Sequence, residues 1–205
     1  MYLHHEIYTI NAGRQRELEQ RVPRLHAMMQ ADGEGFVSAH FLRAGGDLSK
    51  YVALRVWRDQ AANRAWGRSP QMQEYLRNRP EGSYTRPPEI EYYELATEAK
   101  GPAPDHFTLE VEFDITPGTG RAFEALHAEY LPIMAAQPGV HAGRLWRFAG
   151  NQTRYLRISD WESREHLLAL MESADRKRMA EAEATFFRTP SKNAWYELLP
   201  GSLGV

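Results

Sequence analysis

Seven side chains in this sequence are of types, and at spacings, that could do chemistry on a small organic molecule. Asn63, Trp66 and Tyr75 fall on one predicted helix; residues three apart share a helix face, and twelve apart return to a nearby azimuth. Trp66 is either a stacking surface for a polycyclic ring or a core indole on an apolar stripe. Asn63 and Tyr75 are hydrogen-bonding partners beside it or, more blandly, a solvated amide and a half-buried amphipath. His40 shares a strand face with Phe36 and Leu42, assigned to the helix side. An imidazole there is a general base for a phenol or a satisfied, partly buried ring. Glu6, on the first strand and seven residues before Gly13, can act as base or hydrogen-bond acceptor, or reach solvent at the strand's end. Arg86, in the arginine-rich run 77–88, leans over a pocket mouth or belongs to a solvated loop. Arg144 takes the His40 position in the second half of the chain and suggests an anion partner or a surface charge. Trp66, Tyr75, Asn63 and His40 are thus the catalytic candidates, and Glu6, Arg86 and Arg144 the substrate-binding ones.

Several chemistries are set aside. The sequence has no cysteine, which removes disulfides, thiolate metal sites and cysteine nucleophiles. His4 and His5 are adjacent, so on a strand they point to opposite faces and do not chelate together. His127 and His141 lack a partner spacing. Gly118-x-Gly120 has no third glycine and no surrounding βαβ unit, which argues against a dinucleotide site. No metal and no cofactor is expected. A net charge of −2 gives no reason to expect nucleic acid or an anionic membrane. The opening MYLHHEIYTI lacks the regions of a signal peptide, and no apolar run approaches the roughly 20 residues of a membrane span. A soluble cytoplasmic protein is expected.

The elements that must position these residues come in two copies. Ile10 and Gly13 align with Ile115 and Gly118 at an offset of 105; Tyr51 and Trp57 align with Tyr155 and Trp161 at 104; Tyr93, Glu94 and Leu95 align with Tyr196, Glu197 and Leu198 at 103. Ordered anchors with single-residue drift mark an internal repeat. Repeat 1 is assigned to 1–96, a Gly/Pro/Ala-rich linker to 97–105 and repeat 2 to 106–205. Within each repeat the order is strand, helix, strand, strand, helix, strand. Leu18, Val22, Leu25 and Met29, like Phe123, Leu126, Tyr130 and Ile133, form one apolar helix stripe. Hairpins are predicted at 35–43 with 50–58 and at 139–149 with 153–161, and closing strands at 89–96 and 193–199.

On the third strand Val52, Leu54 and Val56 point one way and Tyr51, Arg55 and Trp57 the other. The aliphatic set is assigned to the helix side. The aromatic set, with Tyr155, Arg157, Ser159 and Trp161 in the second copy, is assigned to a sheet-on-sheet contact between copies. The expected fold is α+β: two ferredoxin-like βαββαβ units in tandem, antiparallel sheets face to face, an intramolecular pseudo-dimer. Whether the fused pair forms a further homodimer is left open. The nine-residue linker reaches at most about 32 Å, enough to join one unit to the next.

These residues resemble the antibiotic biosynthesis monooxygenase domain of the dimeric α+β barrel superfamily. The resemblance rests on INAG and ITPG, on GF at 35 and GV at 139, on VWRD and DWES, and on AWGRSP. The opening IYTINAGRQREL is also similar to the NIPSNAP domain. The likeness runs over essentially the whole chain, twice. It implies a ligand pocket inside each copy, between sheet and helices. Trp66 would stand where quinone-forming and haem-degrading members carry a pocket tryptophan; the second copy has Leu170 there. An Asn–Trp–Tyr set in quinone-forming members polarises a phenol, and the substrate carbanion reduces oxygen directly, without metal or flavin. Here the Asn lies one residue closer and the Tyr further away. Haem-degrading members carry an axial histidine ten residues after the tryptophan; that position is Leu76, which argues against haem. Where they carry an asparagine on the first strand, this chain has Glu6.

The expected function is therefore a cofactor-independent, monooxygenase-like activity on a small aromatic or quinone-type molecule, centred on the first copy. The rivals are a non-catalytic small-molecule binder or NIPSNAP-like scaffold, and a weak haem binder.

Overall fold

The computed structural model describes residues 1–203. Among them run β1 (Tyr2–Thr9), α1 (Gln15–Asp32), β2 (Phe36–Ala44), β3 (Lys50–Trp57), α2 (Gln60–Gly67), α3 (Pro70–Arg77) and β4 (Glu89–Lys100). The order repeats as β5 (Phe107–Ile115), α4 (Gly120–Ala135), β6 (Val140–Phe148), β7 (Arg154–Trp161), α5 (Arg164–Glu172), α6 (Ala174–Ala184) and β8 (Phe187–Leu198). These are two ferredoxin-like units in tandem, α+β throughout. No helix among the described residues is long and apolar enough to cross a membrane.

The chain divides into two compact units that do not coincide with the repeats. The first is Met1–Tyr93 together with the segment from Leu198 onward; the second is Glu94–Glu197. The stretch read as a linker is strand as far as Lys100. Glu94 and Glu98 hold it in the second unit through Arg147 at 3.0 Å and Arg144 at 3.5 Å. Only at Gly101 does it turn, where a Cβ would stand 2.2 Å from the Val140 carbonyl oxygen. β8 likewise begins six residues before its expected start. Pro190 disguised it; the ladder with β5 slips between Glu112 and Asp114, opposite that proline, as strand prolines require.

In the first unit β3 is central, with β1 and β2 antiparallel on its two sides; His4 faces Arg55, Glu6 faces Ala53 and His40 faces Leu54. Gly13, at φ +83°, makes the left-handed turn that launches α1. Leu18, Val22, Leu25 and Met29 are buried along α1 as their spacing predicts.

The alternation along β3 is correct and its assignment is reversed. Tyr51 packs with Leu18 and Val22, and Trp57 with Leu25, Met29 and Trp66, so the aromatic set lies beneath the unit's own helices. Tyr155, Arg157, Ser159 and Trp161 do the same in the second unit, where Trp161 joins Met134, Leu167 and Leu170. Period two yields two faces without saying which one the helices cover, and here the layer needs bulky rings to fill it. His40, registered with Leu54, is consequently on the face away from the helices.

The second amphipathic helix of each unit is two helices. Ser69 is extended (φ −63°, ψ 149°) and its hydroxyl accepts from the Met72 N–H, starting α3 on Pro70. Proline excludes the helical region for the residue before it and suits the first helical position itself. Ser173 makes the same break between α5 and α6 and accepts from the Arg176 N–H.

Candidate functional site

Because β1 and β3 pair residue for residue, Tyr2, His4, Glu6 and Tyr8 rise on the same face as Trp57, Arg55, Ala53 and Tyr51. Over this floor lies a cavity of about 500 Å³ in the first unit, within the size range of small-molecule sites. Its walls are Trp57 and Trp66 (ring centres 6.2 Å apart), Tyr2 stacked on Tyr92 at 5.7 Å, and Met72. Its polar groups are His4, Glu6, Arg55 and Asn63, and its outer edge includes Arg64, Leu76 and Arg79.

Arg55, only 1% exposed, organises the floor. One of its terminal nitrogens donates to Glu6 Oε2 at 2.5 Å and the other to Tyr8 Oη at 2.9 Å; Tyr8 donates in turn to Glu6 at 2.7 Å. Its Nε lies 3.2 Å from His26 Nε2, and His26 Nδ1 lies 3.0 Å from the Gly201 carbonyl. A carbonyl only accepts, so Nδ1 carries the proton and Nε2 accepts from the guanidinium. The segment after β8 thus closes a relay from Gly201 through His26 and Arg55 to Glu6. Backbone bonds hold that segment on β2, Leu199 N–H to the Phe41 carbonyl and Leu203 N–H to that of Ala39.

These contacts set protonation. Burial, then the Arg55 charge, pushes His26 down to about 3 and His4 down to about 4, so both are neutral at pH 7. Burial pulls the Glu6 carboxyl upward, but Arg55 more than offsets it and the group stays ionised below its ordinary range. Burial also works against the charge on Arg55; the Tyr8 and Glu6 oxygens outweigh it. His4 Nδ1 lies 3.5 Å from the Asn63 amide nitrogen and Nε2 has no hydrogen-bond partner. The indole nitrogen of Trp66 has none either.

Of the residues singled out from sequence, Trp66, Asn63 and Glu6 converge on this cavity. Tyr75 does not line it: beyond the break at Ser69 its helix has a new axis, and its half-buried ring packs on the cluster that holds Trp57 and Trp66, with the Arg21 guanidinium 4.7 Å above it. His40 lies on the opposite sheet face, so it does not meet Trp66. Arg86 is exposed and ion-paired with Glu89 at 2.8 Å. Arg144, in the second unit, spends its charge on Asp160 at 2.7 Å and on Glu98. Sequence reasoning missed His4, Arg55, Tyr2 and Tyr92. The signal was present in the period-two pattern of β1, which places His4 and Glu6 on one face.

The second unit places a different set of side chains in the equivalent position. Its arginine stands two residues earlier: Ser159 aligns with Arg55, and Arg157 with Ala53. Arg157 donates to the buried carboxylate of Glu183, which also meets His127 at 3.1 Å and Arg176 at 3.2 Å. Burial raises the Glu183 carboxyl, but Arg157 outweighs it and holds the group at about 2. Trp161 turns its N–H to Ser159 Oγ at 3.0 Å, and Leu170 replaces Trp66.

Comparison with known proteins agrees with this architecture. The sequence model described as antibiotic biosynthesis monooxygenase matches residues 1–78 and again 106–182. No curated protein matches the chain. Among solved structures, a candidate monooxygenase from Fusobacterium nucleatum superposes with a TM-score of 0.82 at 8% identity, covering 97% of this chain and 92% of its own. A candidate monooxygenase from Lactobacillus acidophilus gives 0.79 at 11% identity, covering 100% and 98%. An anthrone oxidase-like protein gives 0.70 at 14% identity, covering 97% and 91%. At such identities the likeness is one of fold.

Proposed function

The chain belongs to the antibiotic biosynthesis monooxygenase family, and from that premise we propose that its first unit is a cofactor-independent oxygenase for a small aromatic or quinone-type molecule. The observation that carries this reading is the cavity itself, in which two indoles and a tyrosine pair face a neutral imidazole. Flat rings stack between Trp66 and Tyr92. With the Asn63 amide turned so that its oxygen meets Nδ1, His4 Nδ1–H donates to it and Nε2 keeps its lone pair. His4 then takes a proton from the activated CH₂ of an anthrone-type substrate. The resulting carbanion passes one electron to O₂, and the radical pair combines to a hydroperoxide. Loss of water leaves a carbonyl, so CH₂ and O₂ become C=O and H₂O. The Asn63 amide nitrogen, freed by that turn, stabilises the developing enolate oxygen, which is where preorganised donors act most strongly.

The test is oxygen uptake by the purified protein with anthrone and related polycyclic phenols. His4→Gln should lower kcat by about 100-fold, the lower end for a lost acid–base group. Trp66→Ala should chiefly raise KM. Turnover that both variants leave unchanged removes the assignment. A second reading, a non-catalytic NIPSNAP-like binder of the same compounds, is favoured by one observation: the Arg55–Glu6–Tyr8 network satisfies itself. Tight binding without oxygen consumption would select it.

A further inference from the structure

We propose that the molecule taken by the first unit is an aromatic carboxylate, its rings between the indole and tyrosine walls and its anion against Arg64 and Arg79. This rests on the aromatic-pocket reading above and adds the charge of the ligand. Four charged side chains border the cavity: Glu6, Arg55, Arg64 and Arg79. The first two cancel at the buried end, 2.5 Å apart. The remaining two are both cations and both lie further out, Arg64 exposed on α2 and Arg79 half-buried just past α3. Neither has a carboxylate partner among the described residues. By contrast Arg58 is spent on Asp59 at 3.0 Å and Arg86 on Glu89 at 2.8 Å, while Arg21 lies over the Tyr75 ring and does not line the cavity.

Arg79 is also held in place. Its guanidinium lies 4.1 Å above the Tyr84 ring, which fixes the plane of the group and leaves its edge N–H donors free for a carboxylate. Arg64 lines the cavity together with Trp66 and Tyr92 and lies close enough for its charge to act on the Tyr92 hydroxyl, so a ring held against Tyr92 brings its substituents near this side chain. A cavity with apolar walls, a neutral floor and a doubly cationic rim fits a planar molecule with one anionic end.

Titration of the protein with anthracene-2-carboxylate and with 2-(hydroxymethyl)anthracene, followed by quenching of tryptophan fluorescence, tests this. At low salt the carboxylate should bind about tenfold more tightly, and 0.5 M NaCl should shrink that preference by screening the exposed cations. Arg64→Gln and Arg79→Gln should each reduce it, and the double variant should abolish it. Arg86→Gln, already paired with Glu89, should leave it intact. Equal affinities for the two probes, or a preference that survives the double variant, would overturn the proposal while sparing the aromatic pocket. If neither probe binds, the pocket reading itself fails.

Discussion

Arg55 fixes what the cavity floor can be. A guanidinium with this little exposure persists only where its charge and donors are answered, and Glu6, Tyr8 and His26 answer them. Arg55→Met should therefore cost about 3 kcal/mol in urea unfolding, because it strands the Glu6 carboxylate rather than because an attraction is lost. Adding Glu6→Gln to that variant should recover part of the loss. Strict additivity of the two single effects would show that the pair is not coupled. At this scale the sequence was half legible. Trp66, Asn63 and Glu6 announced themselves by type and position. Arg55 was visible beside Tyr51 and Trp57 but placed on the wrong side, because a charged residue among rings looks like a surface and only its partners make it a core. His4 was weighed as a chelator, although its value lies in sharing a face with Glu6.

At the level of elements, strands and helices whose apolar residues keep time were readable, as α1 and the two hairpins demonstrate. Those held chiefly by backbone bonds and by glycine or proline geometry were not, as the ends of β4 and β8 demonstrate. Past the helix break at Ser69, Tyr75 packs on the cluster around Trp66 without lining the cavity. The segment after β8 carries the sharpest dependence on one residue. Gly201 has φ +91°, and a Cβ there would fall 2.3 Å from the Pro23 Cβ on α1. Both the left-handed backbone and the contact forbid a side chain. Gly201→Val should lift the segment from α1 and remove the carbonyl that His26 Nδ1 donates to. The expected loss is about 1–3 kcal/mol of stability, with weaker ligand binding in the first unit. Urea titration and probe affinity measure the two losses. A Gly201→Val protein with unchanged affinity would show that the relay through His26 does not shape the floor.

Across the whole molecule, duplication has kept one theme and shifted it. Both units set an arginine, a histidine and a glutamate under their helices; the first set borders a cavity, and the second gathers Arg157, His127 and Arg176 on Glu183. Both also bury imidazoles in the neutral form: His26 and His4 are pushed down to about 3 and about 4, and burial lowers His127 as well. An unfolded histidine titrates near 6.5. From there down to about 4 the unfolded chain binds protons that the folded chain refuses, so folding stability must fall as pH falls through this window. His26 and His4 each contribute a slope of about 1.4 kcal/mol per pH unit. Glu6 and Glu183, held below the ordinary carboxylate range by Arg55 and Arg157, add their own loss only below about pH 4.5. Burial and then the Asp160 charge push the Asp105 carboxyl up to about 8, and this group gains stability as pH falls over the same range. Urea unfolding at intervals between pH 7.5 and 5 should therefore reveal a decline that is shallower than the histidines alone would give. His26→Gln keeps an acceptor for Arg55 and a donor for Gly201 but takes no proton, so it should make the decline shallower by about 1.4 kcal/mol per pH unit. A flat profile over that window in the native chain, or an unchanged slope in the variant, would mean that these imidazoles are not buried neutral.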